Sequence, residues 1–211
     1  MQCVMALQAR KKELGFEVVP SINQGDGVAR SRNVLTAEFL RTDCTHMLQI
    51  DCDLIFSADH VKRIVSHNVD VVGGAYPKKQ DGNLEWVINT LPNQAQIKAT
   101  KNRLLQVKYV GTGFMCVKRR VFEKMRKAYP DSKYRADYAG REMEFDYWPM
   151  SVYRKNKKDE GRYLSEDWFF CQRWQDMGGK VYLDTGTILK HIGPAIYPLQ
   201  SQMDQINNPK K

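Results

Sequence analysis

The residues in this chain best suited to chemistry are the two carboxylates of Asp51-Cys52-Asp53. They follow a short apolar run, Thr45-His46-Met47-Leu48-Gln49-Ile50, that fits a buried strand. In open α/β sheets, ligands bind beyond the carboxyl ends of the strands. Two carboxylates flanking a single residue there can converge on one hard divalent cation, and oxygen ligands suit manganese or magnesium. A pair of solvated turn aspartates would read the same way. The strand before the pair, and the helix after it with Ser57 at its cap, set this pair apart from a chance D-x-D.

Four other groups qualify. Ser165-Glu166-Asp167 opens a helix. Ser165 can be an N-cap with acidic residues opposing the helix dipole, or Asp167 or Glu166 can act as a general base on a hydroxyl. His191, in Lys190-His191-Ile192-Gly193, is either structural or a neutral imidazole ligand for manganese. Arg30-Ser31-Arg32-Asn33 lies at the start of a helix. Helix amino-termini attract phosphate, and Arg binds it bidentately, but cationic side chains are electrostatically unfavourable at that end. Gly111-Thr112-Gly113-Phe114 lacks the third glycine and following helix of a dinucleotide fingerprint, and the Gly-Lys-Ser/Thr of a P-loop. It supports neither an NAD nor an ATP site; its glycines permit close approach of backbone to a ligand or a strand.

The elements that must hold these residues follow from spacing. Helical periodicity predicts helices over 4–14, 28–40, 57–67, 121–129 and 165–177, the last ended by Gly178-Gly179. Strands are predicted over 16–22, 45–50 and 70–75, with a turn at Gly25-Asp26-Gly27. This alternation indicates an α/β layered domain with parallel strands. Further strands at 86–88, 104–110 and 114–117 are close in sequence and expected to be antiparallel, and short strands follow at 181–183 and 188–189. The polar and aromatic stretch 130–161 reads as a long irregular loop, a length that in a compact domain signals function or disorder. Trp168, Phe169, Phe170 and Trp174 form an aromatic band expected in the core. Residues 1–198 read as one domain and 199–211 as a polar tail or linker.

The 211 residues carry a net charge of +9, from 33 Lys and Arg against 24 Asp and Glu. Such a surplus suits an anionic partner: a nucleotide diphosphate, a phosphorylated acceptor, nucleic acid or a membrane surface. The dense basic run Arg154-Lys155-Asn156-Lys157-Lys158 otherwise reads as a solvated loop. No apolar run is long enough to span a bilayer and no signal-peptide pattern opens the chain, so no membrane span is expected. The cysteines (Cys3, Cys44, Cys52, Cys116, Cys171) are odd in number, scattered and without a C-x-x-C pair, which favours a reducing compartment and a cytoplasmic location.

Taken in order, these motifs resemble a nucleotide-diphospho-sugar glycosyltransferase of the GT-A fold. The order is Arg32-Asn33, then Asp51-Cys52-Asp53, Gly73-Gly74-Ala75-Tyr76-Pro77, Gly111-Thr112-Gly113-Phe114-Met115, Ser165-Glu166-Asp167 and His191. The resemblance runs from about residue 16 to 193. It implies a Rossmann-like α/β fold with a mixed, mainly parallel central sheet flanked by helices. It also implies a nucleotide-diphospho-sugar donor, with UDP as the family's usual base, a glycan or glycoprotein acceptor, and Mn2+ or Mg2+. By that similarity Asp53 binds the metal directly, Asp51 touches the metal shell or the ribose, and His191 completes the metal site. Arg32 and Asn33 face the diphosphate, and Tyr76, Gly111, Thr112 and Gly113 line the donor side. Phe114 lies toward the acceptor; apart from the resemblance, Asp146, Tyr147 and Trp148 in the 130–161 stretch are acceptor candidates because aromatic rings stack on sugars. Asp167, with Glu166 next to it, supplies the base of an inverting enzyme. One departure is that Met1 falls directly before a helix, where the family opens with a strand that helps hold the base. A metal-dependent nucleic-acid enzyme also fits the charge and the paired aspartates, though no nucleic-acid motif is present. A non-catalytic sugar-nucleotide-binding module is a third reading. A nucleotidyltransferase is a fourth, for which Gly25-Asp26-Gly27 is a poor match.

Overall fold

A computed structural model describes residues 2–24, 27–78, 88–91, 98–137, 143–156, 158–193 and 196–197. The helices are α1 (Gln2–Ala9), α2 (Lys11–Leu14), α3 (Val28–Arg41), α4 (Ala58–Ser66), α5 (Arg119–Ala128) and α6 (Glu166–Asp176). The strands are β1 (His46–Ile50), β2 (Leu54–Ile55), β3 (Val71–Ala75), β4 (Ile88–Asn89), β5 (Leu104–Val107), β6 (Tyr109–Val110) and β7 (Phe114–Lys118). They continue with β8 (Lys133–Arg135), β9 (Met143–Phe145), β10 (Ser151–Tyr153), β11 (Arg162–Leu164), β12 (Val181–Ile188), β13 (Lys190–Ile192) and β14 (Ile196–Tyr197). By contacts the chain divides into two units, one of Met1–Val19, Leu48–Cys116 and Lys180–Lys211, the other of Pro20–Met47 and Val117–Gly179. The units interleave in sequence, so no single cut separates them. The predicted tail at 199–211, most of the strand predicted at 86–88, and Gly25 and Asp26 of the predicted turn lie outside the described residues.

In the first unit the main sheet has the order β1-β7-β3-β12-β5, with the chain passing between units within β1 and β7. β12 runs parallel to β3 and antiparallel to β5, and the smaller sheets pair antiparallel. The sheet is therefore mixed rather than mainly parallel, which corrects the expectation from the sequence. β5 pairs antiparallel along the edge of β12, and this breaks the parallel alternation suggested by the amino-terminal part of the chain. β3 is buried at every position, as its run of Val, Gly and Ala requires. Ser57 caps α4 as predicted, in a reciprocal box with His60. Val61 and Ile64 of α4, Leu7 of α1 and Leu14 of α2 close one apolar cluster with Val72, Phe114, Cys116 and Leu189. The strand predicted at 16–22 does not form: Val19 and Ile22 are 63% and 71% exposed, and β-branched composition without a partner strand makes no ladder.

β12 is one long strand where the sequence suggests two short ones. The polar stretch Asp184-Thr185-Gly186-Thr187 breaks the apolar pattern, yet Asp184, Thr185 and Thr187 are fully buried. Asp184 accepts two hydrogen bonds from the Arg63 guanidinium at 2.8 Å and one from the Thr187 hydroxyl at 2.7 Å, with His67 Nε2 at 3.0 Å. Burial alone would raise its pKa, but the hydrogen bonds from His67, Arg63 and Thr187 outweigh it and hold the carboxyl at about 2. Gly186 sits beneath the guanidinium; a Cβ there would come within 2.5 Å of Arg63 Nη2.

The second unit is organised around Phe122 of α5, whose ring contacts those of Phe39, Tyr147, Trp148 and Phe170. Trp148 stacks on Phe170 at 4.1 Å. The stretch 130–161, predicted irregular, contains a short 3-10 turn, the β8–β9 pair and β10. α3 ends on Arg119, whose guanidinium donates to the carbonyls of Phe39, Thr42 and Cys44, the favourable place for a cation. Among the described residues no helix is long and apolar enough to cross a membrane.

Candidate functional site

In the first unit β1 delivers Asp51 to a tight turn. The Asp51 N–H donates to the Gly113 carbonyl at 2.9 Å, and the Asp51 carbonyl accepts from Leu54 N–H at 3.3 Å. β2 then pairs antiparallel with β13, setting Leu54 opposite His191, and Ile192 N–H donates to the Asp53 carbonyl at 2.7 Å. This ladder places His191 Nε2 3.5 Å from Asp53 Oδ1. His191 Nδ1 lies 2.8 Å from the Pro77 carbonyl oxygen. A carbonyl only accepts, so Nδ1 carries the proton. In the neutral ring the Nε2 lone pair then faces a carboxylate oxygen, an arrangement settled by a proton on Nε2 or by a cation shared between the two.

Carboxylate and imidazole together suit manganese better than magnesium, which prefers oxygen ligands alone, and a backbone carbonyl on the second imidazole nitrogen is a usual support of a metal-bound histidine. Two ligands about 2.1 Å from one ion, at roughly a right angle or a little more, stand about 3.0–3.4 Å apart, close to the spacing here. Asp53 and His191 thus fit a divalent ion as a pair. Among the described residues no three His, Cys, Asp or Glu side chains converge. Asp51, expected from the sequence as a third ligand, does not converge with Asp53 and His191; it is half-buried with its backbone tied to Gly113.

Tyr76 backs this pair. Its ring meets His191 edge-on at 5.6 Å, and its hydroxyl accepts from Gly113 N–H at 3.1 Å. The ring covers Gly113 so closely that a Cβ there would lie 2.7 Å from it. Tyr76, Thr112 and Phe114 are 7%, 2% and 0% exposed, and Gly111 and Gly113 are buried. The Gly111-to-Phe114 turn is a wall behind Asp51. The expectation that Phe114 meets an acceptor is corrected: its ring is in the core against Phe56.

In the second unit Arg32 lies one turn into α3, not at its amino-terminus. Its Nε is 3.2 Å from Glu166 Oε1, and both side chains are 11% exposed. The cation that looked uncompensated in sequence is therefore paired. Asn33 holds the segment after β9: its amide nitrogen donates to Asp146 Oδ1 at 2.7 Å and its oxygen accepts from Tyr147 N–H at 2.9 Å. That is a bracket inside the second unit, with both ends of the amide engaged. Trp148 Nε1–H donates to the Thr36 hydroxyl at 2.9 Å, and the side chain is fully buried. Trp148 offers no ring face to a sugar, which corrects its assignment to an acceptor; aromatic character within an irregular stretch looked like exposure and is core. Asp146 remains half-buried beside it.

The two acidic candidates on α6 separate. Glu166 is taken up with Arg32. Asp167 Oδ1 accepts from the Ser165 hydroxyl and, at 2.8 Å, from Trp168 N–H. Ser165 holds the N-cap position of α6, but its hydroxyl serves Asp167, not a helix amide. Burial pushes the Asp167 carboxyl up to about 6, the Glu166 charge adds to the rise, and the Ser165 hydrogen bond opposes it. A carboxylate so poised is a competent general base near neutral pH. The roles of Ser165, Pro77 and Tyr76 as supports were not legible in residue type; the one available signal was the Tyr76-Pro77 pair following a buried strand.

No protein-family model matches the chain, and no curated protein matches it in sequence. In fold it is similar to the crystal structure of A197 from STIV, with a TM-score of 0.50 and 16% sequence identity over 90% of this chain and 78% of that one. At that identity the similarity concerns the fold alone, a mixed α/β arrangement of sheet and helices.

Proposed function

We propose that this chain is a metal-dependent glycosyltransferase that moves a sugar from a nucleotide-diphosphate donor, of the UDP class, to a glycan or protein-linked glycan hydroxyl. The observation that carries the reading is the Asp53–His191 pair, with its imidazole tautomer fixed by Pro77. Asp53 Oδ1 and His191 Nε2 would hold manganese or magnesium, and Asp51 would lie toward its shell or the ribose. When bound, the ion supplies Lewis-acid neutralisation of the charge that develops on the departing nucleotide diphosphate. The acceptor oxygen bonds to the anomeric carbon as that carbon's bond to the diphosphate oxygen breaks. Within the second unit, Asp167 is the carboxylate suited to take a proton from an acceptor hydroxyl. Its Oδ1 is occupied by two donors, so Oδ2 is the atom that receives it. Arg32 and Glu166, paired beside it, keep the start of α6 in place.

The experiment is calorimetric titration of UDP, GDP and dTDP with and without manganese, followed by assay of the matching sugar conjugates for hydrolysis. Manganese-dependent binding of one nucleotide, with turnover of its sugar conjugates, supports the reading. Binding without turnover makes the chain a sugar-nucleotide-binding module. No binding by folded protein removes the metal-site assignment.

A further inference from the structure

The second unit carries a surface that the proposed reaction leaves unused, the hairpin of β10 and β11. Its register pairs Ser151 with Leu164, Val152 with Tyr163 and Tyr153 with Arg162. One face is packed on α6. Leu164 is buried, the Tyr153 ring meets Phe169 edge-on while its hydroxyl donates to Asp176, and the Arg162 guanidinium lies 4.8 Å over the Trp168 ring. Strand alternation sends Val152 and Tyr163 to the other face, with Met150 two positions before Val152. Met150, Val152 and Tyr163 are 48%, 41% and 63% exposed.

Basic residues adjoin this apolar face. Arg154, Lys155 and Lys158 are exposed in the turn that joins the strands, and with the exposed Glu160 counted against them the turn stays net basic. The acidic Asp159 is turned to the backbone, accepting from Lys155 N–H and Gly161 N–H at 3.0 Å, so it shapes the turn. An exposed Tyr with aliphatic neighbours, flanked by Lys and Arg, is the composition that seats a protein in an anionic bilayer interface.

We propose that the β10–β11 hairpin docks this protein reversibly on an anionic lipid surface, with Met150, Val152 and Tyr163 entering the interface and Arg154, Lys155 and Lys158 against the headgroup phosphates. A nucleic acid would use the same cations, but an aliphatic Val and Met gain nothing from a phosphate backbone. Three apolar side chains make a weak anchor by themselves, so binding depends on the basic residues and on anionic lipid.

The test is co-sedimentation of the full chain with vesicles of phosphatidylcholine alone or mixed with phosphatidylglycerol, at low and high salt. Binding is expected only to the mixed vesicles, falling as salt rises. Lys155→Gln/Lys158→Gln should reduce partitioning about tenfold or more at low salt. Val152→Ser/Tyr163→Ser should also reduce it, with circular dichroism unchanged because both side chains point outward. Failure to bind mixed vesicles overturns the proposal, as does wild-type partitioning by the Val152/Tyr163 variant. Binding to single-stranded RNA that the lysine variant loses and the Val152/Tyr163 variant keeps would overturn it in favour of nucleic acid. No nucleotide is present in this assay, so its outcome is independent of the glycosyltransferase reading.

Discussion

His191 Nε2 stands 3.5 Å from Asp53 Oδ1 while the Pro77 carbonyl, 2.8 Å from Nδ1, holds the ring's other nitrogen. A fixed tautomer facing a carboxylate predicts that the two side chains act as one unit. Asp53→Ala and His191→Ala should each abolish manganese-dependent nucleotide binding, both with native circular dichroism. Calorimetry with and without manganese checks this. Unchanged affinity in Asp53→Ala would remove the pair from the site.

Gly113 and Tyr76 form a second coupled pair, since the Tyr76 ring occupies the space a side chain at 113 would need. Gly113→Ala should cost about 1–3 kcal/mol of stability, the usual cost of forcing atoms into a packed site. Tyr76→Phe should cost about 1–2 kcal/mol, because a buried amide loses its acceptor. Urea denaturation measures both. Each should also weaken metal-dependent binding, because Tyr76 packs on His191.

How far these relationships could be read from the sequence depends on their range. β1, β3 and α4 were legible because burial and a cap are local signals: a continuous apolar run, or Ser57 ahead of Val61, Ile64 and Val65 at helical spacing. Arg32 was not, since the carboxylate that compensates it is 134 positions away. β2 is two residues long and leaves no periodicity, yet its pairing with β13 is what brings His191 to Asp53. Trp148 failed for the opposite reason. Its neighbours look like a loop, and only the Phe170 face that covers it shows that it belongs to the core.

Asp167 gives a prediction in pH. Its carboxyl is raised to about 6, mainly by burial, and only the ionised form can accept a proton. Transfer should therefore climb with pH up to about 6 and level off above it, seen in kcat/KM across pH 4–8. Asp167→Asn should bind donor normally and transfer slowly at every pH. Ser165→Ala removes a hydrogen bond that favours the charged form, so the rising limb should move to higher pH. A raised carboxyl pKa means the charged form burdens the fold: the stability it withholds above pH 6 returns as pH falls toward the unfolded value near 4. Asp167→Asn should then be more stable than wild type at pH 7, by about 1–2 kcal/mol after allowance for partial exposure. Thermal melts at pH 7 and pH 4 test this, and an equal difference at both would contradict it.

Asp184 has the opposite sign. Its pKa is held at about 2, against burial, by His67, Arg63 and Thr187, so the folded state binds its proton less readily than the unfolded chain. The resulting stability is fully present above the unfolded value near 4 and is lost as pH falls through about 2. Asp184→Asn should destabilise the fold by about 3 kcal/mol or more at pH 7, since it leaves a buried network of donors without its charge. The same substitution should cost much less near pH 2, where wild-type Asp184 is itself half protonated. Urea midpoints across that range separate this from a loss of packing, which would cost the same at both ends. Because the network ties α4 to the middle of β12 and contains none of the proposed catalytic residues, nucleotide affinity in whatever fraction of the variant remains folded at pH 7 should be unchanged.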